Sequence, residues 1–216
     1  MFNGTYRRRP LPVFQPASMP KNKGQLRIVE AELILYACPS GELAGQIARY
    51  FAAAKEGFSW NPAHNYMPHC SLTGFFHDAP PAISEYVAVM KGLLAGREAC
   101  TRMPVLRVKE MVLRKDFHGL SLSSDWLLRL VADFAAAAPA ATRTDALRLK
   151  HWLHLSLAYR FPEAEHESLA ELARRTVNAQ APVTWTLYLY QRHRDHRWSQ
   201  HGQWPLDRIE EKVACI

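Results

Sequence analysis

Met67-Pro68-His69-Cys70-Ser71-Leu72-Thr73 and Trp152-Leu153-His154-Leu155-Ser156-Leu157-Ala158 are the two stretches on which the reading of this chain turns. Each sets a histidine two residues ahead of a serine inside an apolar run of strand character. Side chains two apart on a strand project to the same face of a sheet. His69, Ser71 and Thr73 therefore line one face with Cys70 and Leu72 behind them, and His154, Ser156 and Ala158 line one face with Leu155, Leu157 and Tyr159 behind. A third copy of the letters, His166-Glu167-Ser168-Leu169, falls in a helical pattern, where positions two apart point to nearly opposite sides. It is a decoy, and it makes the point that the repeated strand register, not the letters, singles out His69 and His154.

Working outward, the apolar run from Ile28 to Ala37 predicts a first strand, closed by the turn Cys38-Pro39-Ser40-Gly41. Leu43, Ile47, Tyr50, Phe51 and Ala54 recur at helical spacing and predict a helix from Glu42 to about Glu56, stopped by Gly57. The first His strand follows over His69 to Phe75. Pro80-Pro81 opens a second helix that ends before Gly96. Val105 to Leu113 and a segment around Gly119 to Ser121 predict two strands about the turn Asp116-Phe117-His118-Gly119, and Ser124 or Asp125 caps a third helix. The second His strand is expected over Leu149 to Phe161, ended by Pro162, then a helix over Glu163 to Asn178 and a closing strand over Val183 to Tyr190. The order predicts two similar halves facing each other, one around each His strand.

The domain reading is a Pro-rich basic arm over residues 1–25 and one bilobal domain over 26–216, with lobes at about 26–100 and 101–190 and a tail from 191. No run reaches the roughly 20 apolar residues of a membrane span, and Arg7-Arg8-Arg9 is not followed by an apolar segment of the secretory type. The expectation is a cytoplasmic monomer without membrane contact. Cys38, Cys70, Cys100 and Cys215 lack paired spacing, so free thiols are expected, with a Cys38–Cys100 bridge left open. The net charge of +7 favours anionic partners such as phosphates or RNA.

Two imidazoles facing each other suit in-line displacement at phosphorus. A neutral histidine takes a proton from attacking water while a protonated one gives a proton to the departing ribose oxygen. The Ser71 and Ser156 hydroxyls donate to the non-bridging phosphate oxygens. The scheme needs no metal and no cofactor is expected. Lys150 and Trp152, with Arg148, share the face of His154 if that strand extends backwards, and Tyr188 offers a surface for a base; all three of Lys150, Trp152 and Tyr188 are candidate substrate-binding residues.

The motifs His69-Cys70-Ser71-Leu72 and His154-Leu155-Ser156-Leu157, about 85 residues apart, with a proline directly before the first, resemble the paired signatures of the 2H phosphoesterase superfamily, nearest to its cyclic phosphodiesterases. The resemblance spans Ile28 to Tyr190. It implies a two-lobed α+β fold with pseudo-twofold symmetry, two antiparallel-rich sheets facing a central water-filled cleft with helices outside, and metal-independent opening of 2′,3′-cyclic phosphates on a nucleotide, RNA end or nucleotide-derived sugar, with His69, Ser71, His154 and Ser156 as the motif residues. Two rival readings stand beside it. His193-Arg194-Asp195-His196 with His201 is rich in metal-ligand types, but its interleaved arginines read as a solvated basic tail. An RNA- or nucleotide-binding module with little or no turnover also fits the charge and the aromatics.

Overall fold

The computed structural model describes residues 30–98, 106–139 and 141–206. The arm, Cys100 and Cys215 lie outside the described residues; Cys38 and Cys70 are free thiols. The chain runs β1 (Ala31–Ser40), α1 (Glu42–Gly57), β2 (Cys70–Ser71), β3 (Phe76–Asp78), α2 (Ile83–Glu98), β4 (Arg107–Arg114), β5 (Phe117–Ser123), α3 (Asp125–Ala137), β6 (His154–Tyr159), α4 (His166–Thr176), β7 (Thr184–Arg192) and β8 (Trp198–Pro205). This is an α+β architecture. The strands form one eight-stranded sheet, β4-β5-β6-β2-β1-β7-β8, with β3 paired to the far end of β1. All of its pairings are antiparallel.

That sheet differs from the expected pair of sheets. The two groups, β4-β5-β6 and β1-β3-β7-β8, are bridged by the short β2, which pairs with β1 on one side and with β6 on the other. A single row of side chains crosses the seam: Leu120, Leu155, Cys70, Ala37 and Leu187 are successive cross-strand partners on β5, β6, β2, β1 and β7. All five are fully buried. Directly opposed residues of antiparallel strands share a face, so this row fixes which face meets the core.

The helices cover that face. Leu33, Leu35 and Ala37 join the main core with Leu43, Ile47 and Tyr50 of α1, Leu127, Leu130 and Phe134 of α3, and Leu169, Leu172 and Ala173 of α4, whereas Ile34 and Tyr36 of the same strand do not. At about 25 cal/mol per Å² of apolar surface, each such aliphatic side chain contributes roughly 1.5–3 kcal/mol. Gly41 enters α1 at φ 82°, a left-handed conformation that a glycine adopts without strain. Ser124 caps α3 as expected, its hydroxyl accepting from the Leu127 amide at 3.1 Å. α2 runs on through Gly96 to Glu98.

Three expectations of extent are corrected. The first His strand reaches only Cys70–Ser71. Beyond it the Thr73 hydroxyl accepts from the Leu35 amide at 3.1 Å, replacing a ladder carbonyl, and the Gly74 amide turns to the Arg148 carbonyl at 2.7 Å. The second His strand starts at His154 rather than Leu149. Thr73 pairs with Leu149 while Cys70 pairs with Leu155, so three extra residues on the later segment loop out between the pairings. Arg160, at φ 56°, ends that strand ahead of Pro162. The closing strand runs past Tyr190: β7 extends to Arg192 and turns through His193 to Arg197 into β8.

Candidate active site

The two His-x-Ser motifs lie side by side. Their middle residues, Cys70 and Leu155, are direct antiparallel partners. The same register sets His69 across from Ser156 and Ser71 across from His154, all on the face away from the helices. Each middle residue is a fully buried anchor. An apolar residue at that position holds the strand down, and the alternation then presents His and Ser on the open side.

Both imidazoles are anchored in the same way. Nδ1–H of His69 donates to the Met67 carbonyl at 2.8 Å, and Nδ1–H of His154 donates to the Trp152 carbonyl at 3.1 Å, in each case two residues upstream. A carbonyl only accepts, so the proton of each neutral ring sits on Nδ1 and the Nε2 lone pair is left for chemistry. Withdrawal from water lowers the pKa of His69 to about 4, against a raising effect of the Met67 carbonyl and a lowering one from His154. Burial likewise lowers His154, with Lys150 adding to the fall. Each histidine also packs between two aromatic rings. Tyr36 lies over His69 at 3.9 Å between ring centres and Tyr66 meets it edge-on; Trp152 stacks on His154 at 4.1 Å and Phe117 meets it edge-on. These contacts fix ring orientation.

The motifs open into a cavity of about 510 Å³ lined by His69, Ser71, His154 and Ser156, with Tyr36, Tyr66, Phe75, Phe117 and Tyr159 as its aromatic walls. Arg148, Lys150 and Arg160 bring positive charge to it, and among the described residues Asp116 is the one carboxylate in its lining. Neither serine hydroxyl is engaged by another described residue. A cavity of this size, with two neutral imidazoles, two free hydroxyls and surplus cationic charge, is suited to an anionic ligand of nucleotide dimensions.

The four motif residues are thus brought together, and Lys150 joins them, although it reaches the cavity from the looped-out segment and not from a strand. Trp152 lies in the same segment, 43% exposed, against the outer face of His154. Tyr188 sits beside Tyr36 in the sheet but stacks on Tyr190 and does not line the cavity. Sequence reasoning did not pick out Tyr66, Phe75, Asp116, Phe117, Tyr159 or Arg160. They lie in loops or at strand ends where no periodicity marks them, and only the run of aromatics around each motif was a usable signal. His166 donates to or accepts from His118 on the helix side at 2.9 Å, while Ser168 faces solvent, as the decoy reading requires. His193 is bonded to Ser199 and Arg197 to Asp195 in the β7–β8 turn.

No family model matches the chain. Among curated proteins it is similar to an ecdysteroid-phosphate phosphatase of Bombyx mori, 30% identical over 177 residues that cover 79% of this chain and 25% of that protein. The protein of the same name in Drosophila melanogaster is 26% identical over 198 residues, 74% of this chain and 26% of its own length. The ubiquitin-associated and SH3 domain-containing protein B of Mus musculus is 28% identical over 173 residues, 79% and 26% of the two chains. The chain therefore spans about a quarter of the length of the curated relatives it matches.

Proposed function

We propose that this chain is a phosphoester hydrolase that opens 2′,3′-cyclic phosphodiesters to phosphomonoesters with two histidines as acid and base. The observation that carries the reading is the Cys70–Leu155 pairing, which makes the two His-x-Ser motifs antiparallel neighbours with His69, Ser71, His154 and Ser156 lining one cavity. The like anchoring of both rings supports two similar halves meeting at this seam. The names of the silkworm and fruit-fly relatives support phosphate esters as substrates.

In this scheme water adds to phosphorus as one Nε2 takes its proton. The P–O bond to the ribose oxygen on the opposite side breaks, and the second imidazole, protonated, supplies that oxygen with its proton. The products are one phosphomonoester and one hydroxyl, so atoms and charge balance. Ser71 and Ser156 donate to the two non-bridging oxygens. His69, held furthest below its ordinary pKa, is neutral at working pH and serves as base; His154 carries the proton once the substrate's negative charge and exclusion of water favour its charged form.

The test is turnover of nucleoside 2′,3′-cyclic phosphates in excess EDTA by wild type, His69→Ala and His154→Ala. Each substitution is expected to lower kcat by on the order of 10²-fold or more, with no effect of chelator on wild type. Full activity in either variant sinks the assignment, and tight binding without turnover by wild type makes the cavity a nucleotide-binding site instead.

A further inference from the structure

Arg148 lies outside the reacting centre and has no role in the scheme above. The segment that carries it is zipped to the chain beyond Ser71: Lys150 donates its amide to the Leu72 carbonyl, Leu149 bridges Thr73, and Gly74 donates to the Arg148 carbonyl. The guanidinium lies flat against Gly74, where a Cβ would come within 3.2 Å of Nε and Nη2. A glycine here is what opens the seat for the arginine. Gly74 is three residues past Ser71, so the two backbone positions are at most about 10 Å apart, and the guanidinium sits against the far one.

The guanidinium lines the cavity yet makes no hydrogen bond or ion pair to any described residue. Other arginines near the site are committed: Arg192 makes two 2.7 Å bonds to Glu32 and covers the outer side of Phe75. At the opposite end of the seam, Arg160 lines the cavity beside Asp116, its amide donating to the Asp116 carbonyl at 3.4 Å. Lys150 acts on the reacting end, since its field lowers His154, whereas the field of Arg148 falls on Asp145, outside the pair. The rings of Tyr66, edge-on to His69, and of Phe75 line the same cavity and offer a surface for a base or ribose.

We infer that Arg148 forms a second anion subsite, for a phosphate carried on the ribose 5′ oxygen of the substrate whose 2′,3′-cyclic phosphate sits at the histidines. The inference rests on the cyclic phosphodiesterase reading above and narrows its substrate class to 5′-phosphorylated ribonucleotides, either a free nucleotide or the last residue of an RNA end. A 5′-phosphoryl group lies across the ribose from the cyclic ring, and Arg148 lines the cavity beyond the Ser71 end of the first motif. The planar guanidinium suits two oxygens of such a group.

The test is equilibrium binding of adenosine 2′-monophosphate and adenosine 2′,5′-bisphosphate to the full chain, by calorimetry at one ionic strength, for wild type, Arg148→Gln, Arg148→Lys and Arg160→Gln. Wild type is expected to bind the bisphosphate about tenfold more tightly. The ratio falls to near one in Arg148→Gln, stays partly raised in Arg148→Lys and is unchanged in Arg160→Gln. Equal wild-type affinities overturn the subsite, as does a ratio that survives in Arg148→Gln. Turnover of adenosine 2′,3′-cyclic phosphate, its 5′-phosphorylated form and a diadenylate ending in the cyclic phosphate separates the two sources. A preference shared by the last two supports the 5′-phosphoryl contact itself, and one confined to the dinucleotide assigns it to an RNA end. Absence of turnover with all three refutes the hydrolytic reading, while the binding ratio still judges the subsite.

Discussion

Gly119 sits in β5 opposite Ser156, at the irregularity between β5 and β6, and a methyl group there has nowhere to go. A Cβ at this position would lie 2.4 Å from the carbonyl oxygen of Leu155 and 2.5 Å and 2.9 Å from two carbons of the Phe117 ring. The ring can swing, but the carbonyl belongs to the backbone of β6 between His154 and Ser156 and cannot yield without moving both. Overpacking of this kind costs about 1–3 kcal/mol, and a backbone clash belongs in the upper half of that range. Restricting the unfolded chain returns about 0.4–1 kcal/mol. Gly119→Ala is therefore expected to lose about 1–2.5 kcal/mol in urea unfolding and, by displacing Phe117 from the edge of His154, to lower kcat as well. Gly92→Ala is the control, because nothing lies within 4 Å of a Cβ on that helical glycine. It should gain up to about 1 kcal/mol. A Gly119→Ala protein as stable as wild type, with the m-value unchanged, would refute the reasoning.

Three further outcomes follow from the same structure. With His69 at about 4 and His154 below its ordinary 6.5, kcat/KM should be bell-shaped with its optimum on the acid side of neutrality; the two limbs belong to the coupled pair, and a flat profile from pH 4 to 8 would exclude it. His118 is fully buried, its pKa lowered to about 4 chiefly by burial and next by His166. The unfolded chain takes up this proton first, so stability should be fully present above about 6.5 and fall as pH drops toward 4, by up to about 3 kcal/mol, and a His118→Gln variant should show a shallower fall in the same denaturation series. Ser124→Ala should cost about 1 kcal/mol, the worth of the Leu127 cap, with Ser124→Asp restoring most of it.

The shared face of His and Ser within each motif was legible in the sequence because it depends only on alternation and on Cys70 and Leu155 being apolar; the pairing of the two motifs with each other was not. Helices α1, α3 and α4 were legible for the same reason: one stripe of Leu, Ile and Tyr faces the sheet. What the sequence hid lies where side chains take over backbone roles. The Thr73 hydroxyl stands in for a ladder carbonyl and cuts the first His strand short, which no propensity records. The looped-out segment before His154 delivers Lys150 to the cavity from outside any strand. β8 was missed because an edge strand of polar residues has no alternation to read; its Gly202 is roofed by the Trp204 ring, and Trp198 packs against Tyr36, Tyr66 and Phe75. The single continuous sheet was hidden because a two-residue strand, β2, makes the join.

The central claim is that His69 and His154 act on one phosphate as a unit. A double-mutant cycle on kcat with adenosine 2′,3′-cyclic phosphate tests it most directly, comparing His69→Ala, His154→Ala and the double variant. Groups that share one transition state are strongly non-additive, so the double variant should be little worse than the more damaged single one. Losses that multiply, or a single variant that retains wild-type turnover, would contradict the account.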